Sequence, residues 1–91
     1  MSVKVRIPTQ LRALAGGAGE VEVEGPTVGA ALKALDVAHP GFAGRLFDES
    51  GNLRRFVNVF MGEEDIRFLD GLATAVPAGA VVSVVPAVAG G

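Results

Sequence analysis

Apolar and polar residues alternate in two short segments near the start of the chain. In residues 2–7 and again in residues 20–24, every second position is a valine or an isoleucine. This period of two is typical of a strand with one buried face. The polar positions carry mainly Lys and Arg in the first segment and Glu in the second, as expected of facing strands. With a glycine-rich turn at residues 16–19, the pattern predicts an antiparallel hairpin.

A helical period replaces the alternation after the second strand. Thr27 is a residue type that caps the first turn of a helix. Apolar residues then recur three or four positions apart, as on the buried side of a helix. They are Val28, Ala31, Leu32 and Leu35. The pattern ends at His39-Pro40-Gly41, because the residue before a proline is disfavoured in helical backbone. One main helix is therefore predicted.

The second half of the chain predicts a loop and then strands. Residues 42–52 have no clear period, so we expect a loop with one helical turn near residues 45–47. Phe56–Met61 is predicted as the third strand, and the β-branched run of residues 80–85 as the last strand.

Between these two strands we expect a polar turn at residues 62–65 and a short extra strand at Ile66–Phe68. The order is ββαββ, an α+β arrangement with a sheet of four to five strands. The right-handed crossover rule places the helix across one face of that sheet.

The other face of the sheet must meet water or a partner. In the last strand Ser83 shares one side with Val81 and Val85, so that side is predicted to point outward and Val82 and Val84 into the core. Asn58 marks the outward side of the third strand. An apolar patch on this face indicates a docking site for another protein, although a register shift of one residue would exchange the faces. The predicted patch comprises Phe56, Phe60, Val81 and Val85, with Arg55 beside it.

Composition excludes several classes of function. The net charge of -2 offers no basic surface for nucleic acid. Prolines and glycines interrupt the apolar run of residues 72–91, so no membrane span is expected. Cysteine is absent, which removes disulfides, thiolate nucleophiles and zinc-finger ligand sets. The first eight residues lack the continuous apolar run of an export signal, and we expect a cytoplasmic protein.

The sequence offers no candidate catalytic or metal site. His39 is the only histidine and has no cysteine or serine arranged with it, so we expect it to serve at a helix end. The acidic residues 63–65 are expected to form a solvated turn. The glycines of residues 16–19 match neither phosphate-binding fingerprint. We therefore expect a protein that is not an enzyme and that binds no metal or cofactor.

The chain ends in Ala87-Val88-Ala89-Gly90-Gly91, which follows Pro86 and carries no charge and no helical period. We expect a flexible arm over residues 87–91, attached to a folded domain of residues 1–86. Glycines without side chains let a backbone pass through a narrow channel into a partner's nucleotide site. A carboxylate adenylated there reacts with a sulfur donor to give a thiocarboxylate, and this chemistry needs no catalytic side chain from the carrier.

Three further segments complete a recognisable pattern. These are Arg55-Phe56-Val57-Asn58-Val59-Phe60, the stretch from Glu64 to Phe68 with Gly71-Leu72-Ala73-Thr74, and the ending Pro86-Ala87-Val88-Ala89-Gly90-Gly91. Together with the opening residues 3–12, they closely resemble the MoaD/ThiS family of sulfur carriers over nearly the whole chain. Within that family, the chain is most similar to carriers of thiocarboxylate-dependent cysteine synthesis.

This resemblance implies a β-grasp fold with a mixed sheet and a thiocarboxylate on Gly91. It also implies that an enzyme similar to ubiquitin-activating enzymes adenylates Gly91 with ATP, while Gly90, Ala89 and Val88 pass through its channel. The implied acceptor is a cysteine synthase that contains pyridoxal phosphate, and a metalloprotease later releases the new cysteine. Acceptors of molybdopterin, thiamine and natural-product pathways stay open, as does a β-grasp interaction module or a modifier conjugated to lysines.

Overall fold

The fold combines one mixed sheet with two helices. The computed structural model describes residues 2–55 and 57–86, with the side chain of Pro86 left aside. The strands are β1 (Ser2–Arg6), β2 (Glu20–Glu24), β3 (Val57–Met61), β4 (Glu64–Asp65) and β5 (Val81–Pro86). The helices are α1 (Val28–Ala38) and α2 (Phe42–Leu46). Short 3-10 helices lie at Thr9–Ala15, Ile66–Phe68 and Gly71–Ala73.

The strands form a five-stranded sheet in the order β2-β1-β5-β3-β4. β1 pairs with β2 in antiparallel orientation, which confirms the predicted hairpin. β1 pairs with β5 in parallel, whereas β3 is antiparallel to both β5 and β4. The sheet is therefore mixed, and the first and last long strands of the chain lie side by side at its centre.

The core lies between α1 and the inner face of the sheet. The four apolar residues predicted to bury one side of the main helix are all fully enclosed, as are Val82 and Val84 of β5. Val57 and Val59 of β3 join them from the neighbouring strand. These burials confirm the predicted inner face, which determines which side chains of β3 and β5 point outward.

The predicted ends of α1 are confirmed by its caps. The hydroxyl oxygen of Thr27 accepts a hydrogen bond from the backbone N–H of Ala30 at 3.2 Å. At the other end, His39 is the C-cap residue, and its backbone N–H donates to the carbonyl of Leu35 at 2.8 Å. Such caps satisfy backbone groups that lack a partner within the helix. His39 thus has the helix-end position expected of it.

The prediction of a short strand at Ile66–Phe68 is wrong. The strand β4 is instead formed by Glu64–Asp65, the two residues directly before Ile66, within the segment predicted as a polar turn. Gly62, at a φ of 66°, begins the two-residue loop between β3 and β4. The side chain of Asp65 then accepts from the backbone N–H of Arg67 at 2.8 Å and starts a 3-10 helix. Of these three residues only Ile66 is buried, and Arg67 and Phe68 are both exposed. Burial therefore does not alternate along the segment as it would in a strand with one buried face.

Two other segments are more ordered than predicted. Thr9–Ala15 forms a 3-10 helix before the glycine turn, and Gly16 ends this helix in left-handed backbone conformation. Within residues 42–52, the helix α2 covers Phe42–Leu46, where the sequence predicted one turn slightly later. A carboxylate oxygen of Asp36 in α1 accepts from the backbone N–H of Ala43 at 2.8 Å, which begins α2. The bond to Asp36 comes from outside residues 42–52, so the pattern within that segment does not reveal where α2 begins.

Candidate functional site

The outer face of the sheet is its solvent-facing side, opposite α1. Strand registers align columns of side chains across this face. Glu20 and Glu22 of β2 lie opposite Arg6 and Lys4 of β1, and Lys4 in turn lies beside Val81 of β5. The face therefore changes from acidic through basic to apolar as it crosses from β2 to β5.

Glu20 provides the ion pairs of the charged half. Its carboxylate lies 3.7 Å from Nε of Arg6 and 4.0 Å from Nζ of Lys4. This arrangement confirms that the outward charges of the first two strands are cross-strand neighbours. All three side chains are about half exposed, so water screens these pairs, and each contributes at most about 1 kcal/mol. The pairs contribute little to stability but give this half of the face a definite charge pattern.

The predicted docking patch lies in the apolar half. Val85 is 45% exposed, whereas Phe60 and Val81 are half-buried. Val85 lies opposite Asn58 and Phe60 lies opposite Ser83, so apolar and polar side chains alternate across the β3–β5 ladder. The structure thus brings three of the predicted patch residues together on the outer face. Phe56 lies outside the described residues, and the docking role of the patch stays a prediction.

The predicted arm starts at one end of this face. β5 ends at Pro86, which lies opposite Val57, the first residue of β3. Arg55 is exposed at the same end of the sheet, two residues before Val57. Val88, Ala89, Gly90 and Gly91 lie outside the described residues. The last described strand, β5, therefore lies in the apolar half of the outer face, and the predicted arm follows it directly.

A residue without a role in the sequence analysis contacts this same end of the sheet. Nη2 of Arg67 donates to the carbonyl oxygens of Arg55 at 3.2 Å and of Val57 at 3.0 Å. Arg67 follows the capping residue Asp65 by two positions. This spacing was the only feature of the local sequence that could have drawn attention to Arg67. Its reach to β3 depends on how the chain folds back after β4, which the sequence pattern did not show.

Other surfaces lie away from the outer face. Two neighbouring shallow clefts, of about 400 and 350 Å³, share Lys33, Phe47 and Gly51 on the helix side. Within residues 2–55 and 57–86, no group of three or more histidine, aspartate or glutamate side chains is placed to hold a metal ion. The same described part of the chain contains no helix long and apolar enough to cross a membrane.

The fold and the face define a class of protein. A five-stranded mixed sheet with a helix packed across one face, and its first and last long strands parallel at the centre, is the β-grasp fold of ubiquitin-like proteins. The chain belongs to the ThiS family, whose model matches residues 5–91. The family resemblance seen in the sequence is thereby confirmed.

Individual relatives match all or most of the chain. The sulfur carrier protein CysO of Mycobacterium tuberculosis is 47% identical over 93 residues that span all of both chains. In the crystal structure of the Amycolatopsis orientalis BexX/CysO complex, a 43% identical chain matches with a TM-score of 0.91, covering 98% of this chain and 99% of that one. Small archaeal modifier protein 3 of Haloferax volcanii is 46% identical over 65 residues, or 71% of this chain and 70% of the relative.

Proposed function

We propose that this protein is a sulfur carrier that holds sulfur as a thiocarboxylate on Gly91. The observation that carries the proposal is the full-length similarity to proteins named sulfur carrier protein CysO, together with a family match that extends through residue 91. The relatives' name, sulfur carrier protein, and the family resemblance both describe a protein on which other enzymes act. In this function the chain is a substrate and sulfur donor for enzymes and catalyses no reaction itself.

The geometry of the sheet suits such an arm. Residues 87–91 follow Pro86 directly, and five residues of fully extended chain span at most about 17 Å. A partner that holds the outer face near Val85 therefore receives Gly91 well inside its own surface. Val88, Ala89 and Gly90 have small or no side chains compared with most residues, which lets them pass through a narrow channel.

The chemistry proceeds in two steps on the partner. A carboxylate oxygen of Gly91 attacks the α-phosphorus of ATP, and pyrophosphate leaves to give an acyl adenylate. A sulfur nucleophile then attacks the acyl carbon and AMP leaves with the bonding electron pair. When hydrosulfide is the nucleophile, loss of its proton leaves Gly91 as a thiocarboxylate. When a protein persulfide is the nucleophile, a thiol of the donor then attacks the resulting acyl disulfide, becomes part of a new disulfide, and the thiocarboxylate leaves. Docking raises the effective concentration of this group at the acceptor, so the carrier needs no side-chain catalyst.

The partners follow from the family resemblance. They are an adenylating enzyme similar to ubiquitin-activating enzymes, a sulfur acceptor of the cysteine synthase type with pyridoxal phosphate, and a metalloprotease that releases the product. ATP and pyridoxal phosphate belong to these enzymes, and the carrier itself binds no cofactor. The proposed docking surface comprises Phe60, Val81 and Val85 of the outer face, together with Arg55 and the predicted patch residue Phe56. Because activation consumes ATP, we place the protein in the cytoplasm.

A second function is favoured by one specific observation. The 46% identity to a small archaeal modifier protein suggests that Gly91 is joined to lysine side chains of other proteins. Both functions begin with adenylation, and they differ in what attacks the activated carbonyl. A sulfur nucleophile gives the carrier, whereas a lysine amine gives an amide-linked modifier.

Intact mass measurement of the protein tests the proposal. The chain is incubated with an activating enzyme of a ThiS-family carrier, ATP and sulfide, and is then alkylated. Because the chain has no cysteine, alkylation after exchange of oxygen for sulfur reports the terminal thiocarboxylate, and fragmentation locates it on Gly91. We expect alkylated wild type, and no modification of a variant that lacks Gly91.

The control is thermal stability, because Gly91 lies beyond the last strand and its deletion should leave the melting temperature nearly unchanged. An adenylated deletion variant would contradict the role of Gly91. Protein isolated from cells with Gly91 in amide linkage to lysines would favour the modifier instead.

A further inference from the structure

The side chain of Arg67 covers an open edge of β3. β4 is only two residues long, and it pairs with Phe60 and Met61 at the far end of β3. Near the start of β3, where β4 does not reach, Nη2 of Arg67 donates to the carbonyl oxygens of Arg55 and Val57 at 3.2 and 3.0 Å. One nitrogen with two hydrogens thus serves two acceptors on either side of residue 56. The guanidinium takes the place of a missing strand neighbour.

The backbone at Arg67 is itself firmly held. Its N–H donates to the carboxylate of Asp65 at 2.8 Å, and the preceding residue, Ile66, is 1% exposed in the core. The capping bond and the buried isoleucine fix the start of the Arg67 side chain. Its guanidinium therefore links the start of β3 to a rigid part of the fold.

One of the two held residues, Val57, belongs to the last described rung of the β3–β5 ladder. Val57 lies opposite Pro86, and its N–H donates to the carbonyl of Arg54 at 3.0 Å. Pro86 has no N–H to donate. The backbone groups of Val57 are thus bonded to Arg54 and Arg67, and these bonds determine where β3 begins beside the end of β5.

We infer that Arg67 is a positioning residue, which fixes the end of the sheet from which residues 87–91 leave and so directs Gly91 into the partner's nucleotide site. This inference rests on the proposed function. The effect acts through the backbone of Val57, which lies opposite Pro86 at the end of β5. An error of about 1 Å in the placement of a reacting group costs up to about a hundredfold in rate.

Three variants separate positioning from charge. Arg67→Gln removes both the charge and the fork of donors, whereas Arg67→Lys keeps the charge but loses the planar guanidinium geometry. Arg54→Gln is the matched control, because Nε of Arg54 also donates to a backbone carbonyl, that of Gly44 at 3.1 Å, but on the α2 side. Circular dichroism first verifies that each variant is folded at the assay temperature.

The first readout needs no partner. Hydrogen exchange at the backbone amides of Asn58 and Val85, which lie opposite each other one rung inside Val57, reports the order of this end of the sheet. We expect exchange there to quicken at least about tenfold in both Arg67 variants, as for loss of about 1.4 kcal/mol of local stability, and to stay unchanged in Arg54→Gln. Unchanged exchange in Arg67→Gln would overturn the inference.

The second readout is steady-state adenylation, measured as pyrophosphate release with the activating enzyme and ATP. We expect kcat to fall about ten- to a hundredfold in both Arg67 variants while KM for the carrier changes much less. Normal rates in Arg67→Lys alone would show that only the charge matters, and normal rates in both variants would show that the arm needs no such guidance. Either result overturns the inference.

If wild type is not adenylated, the proposed function fails, and the directing role of Arg67 fails with it. Exchange at Asn58 and Val85 then still decides whether Arg67 orders the strand.

Discussion

Two valines of β5 provide a direct test of how the sheet divides its faces. Val82 is fully buried against the core, whereas Val85, three residues later, is 45% exposed on the outer face. The same substitution, valine to alanine, removes the same atoms at both positions. Because both positions lie in one strand, the loss of intrinsic strand preference is similar, and the difference between the two variants reports burial.

The expected magnitudes follow from the exposed fractions. At Val82, burial of two carbon groups contributes about 1.6 kcal/mol, and the cavity left behind brings the loss to about 2 kcal/mol. At Val85, about half of the side chain already meets water and no closed cavity forms, so the loss is below about 1 kcal/mol. For a domain of this size, about 2 kcal/mol lowers the melting temperature by roughly 8 to 16 °C.

Thermal unfolding of the two variants and adenylation kinetics form the assay. We expect Val82→Ala to lose most stability and, at a temperature where it is folded, to keep the KM of wild type. Val85→Ala should remain stable but raise the KM of the carrier for its activating enzyme several-fold, as expected when an apolar contact is trimmed. Equal losses of melting temperature would refute the assignment of faces. An unchanged KM in Val85→Ala would refute the docking role of this residue.

Two further predictions concern the chain around α1. Thr27→Ala removes the acceptor for the N–H of Ala30 and should cost about 1 kcal/mol, measured by urea unfolding, whereas Thr27→Ser should stay near wild type; equal stability of both variants would exclude a capping role. Gly25→Ala would place its Cβ 2.5 Å from the backbone nitrogen of Ala31, so we expect a loss of about 1 to 3 kcal/mol. Its control is Gly44→Ala in α2, where a Cβ meets no atom within 4 Å and the better helix former should raise the melting temperature slightly. A Gly25→Ala variant as stable as wild type would contradict the close approach.

Local patterns were sufficient for the regular elements. The alternation in the first two strands, the spacing of Val28 to Leu35 and the cap at Thr27 each act over a few residues, and the structure has all of them. The family pattern, from residues 3–12 to the ending at Gly91, is likewise contained in the sequence itself. The inward direction of Val82 followed from strand alternation together with polar Ser83, which marks the opposite, outward side of the last strand.

Short and irregular elements needed the tertiary structure. β4 consists of two residues, so no period can reveal it. Ile66–Phe68 is a 3-10 helix in which Ile66 is buried in the core while Arg67 and Phe68 are exposed. The sequence also could not predict that apolar and polar residues alternate across the β3–β5 ladder. That alternation depends on register, which pairs Phe60 with Ser83 and Val85 with Asn58.

The sequence by itself determined the family, the inner face of the sheet and the position of Gly91 behind the last strand. Only the tertiary structure decided that Arg67 reaches the start of β3 and that this start lies beside Pro86. The physical reason is distance along the chain. Local preference acts within a turn or a strand, whereas these contacts join residues ten to about thirty positions apart, which only the folded sheet brings together.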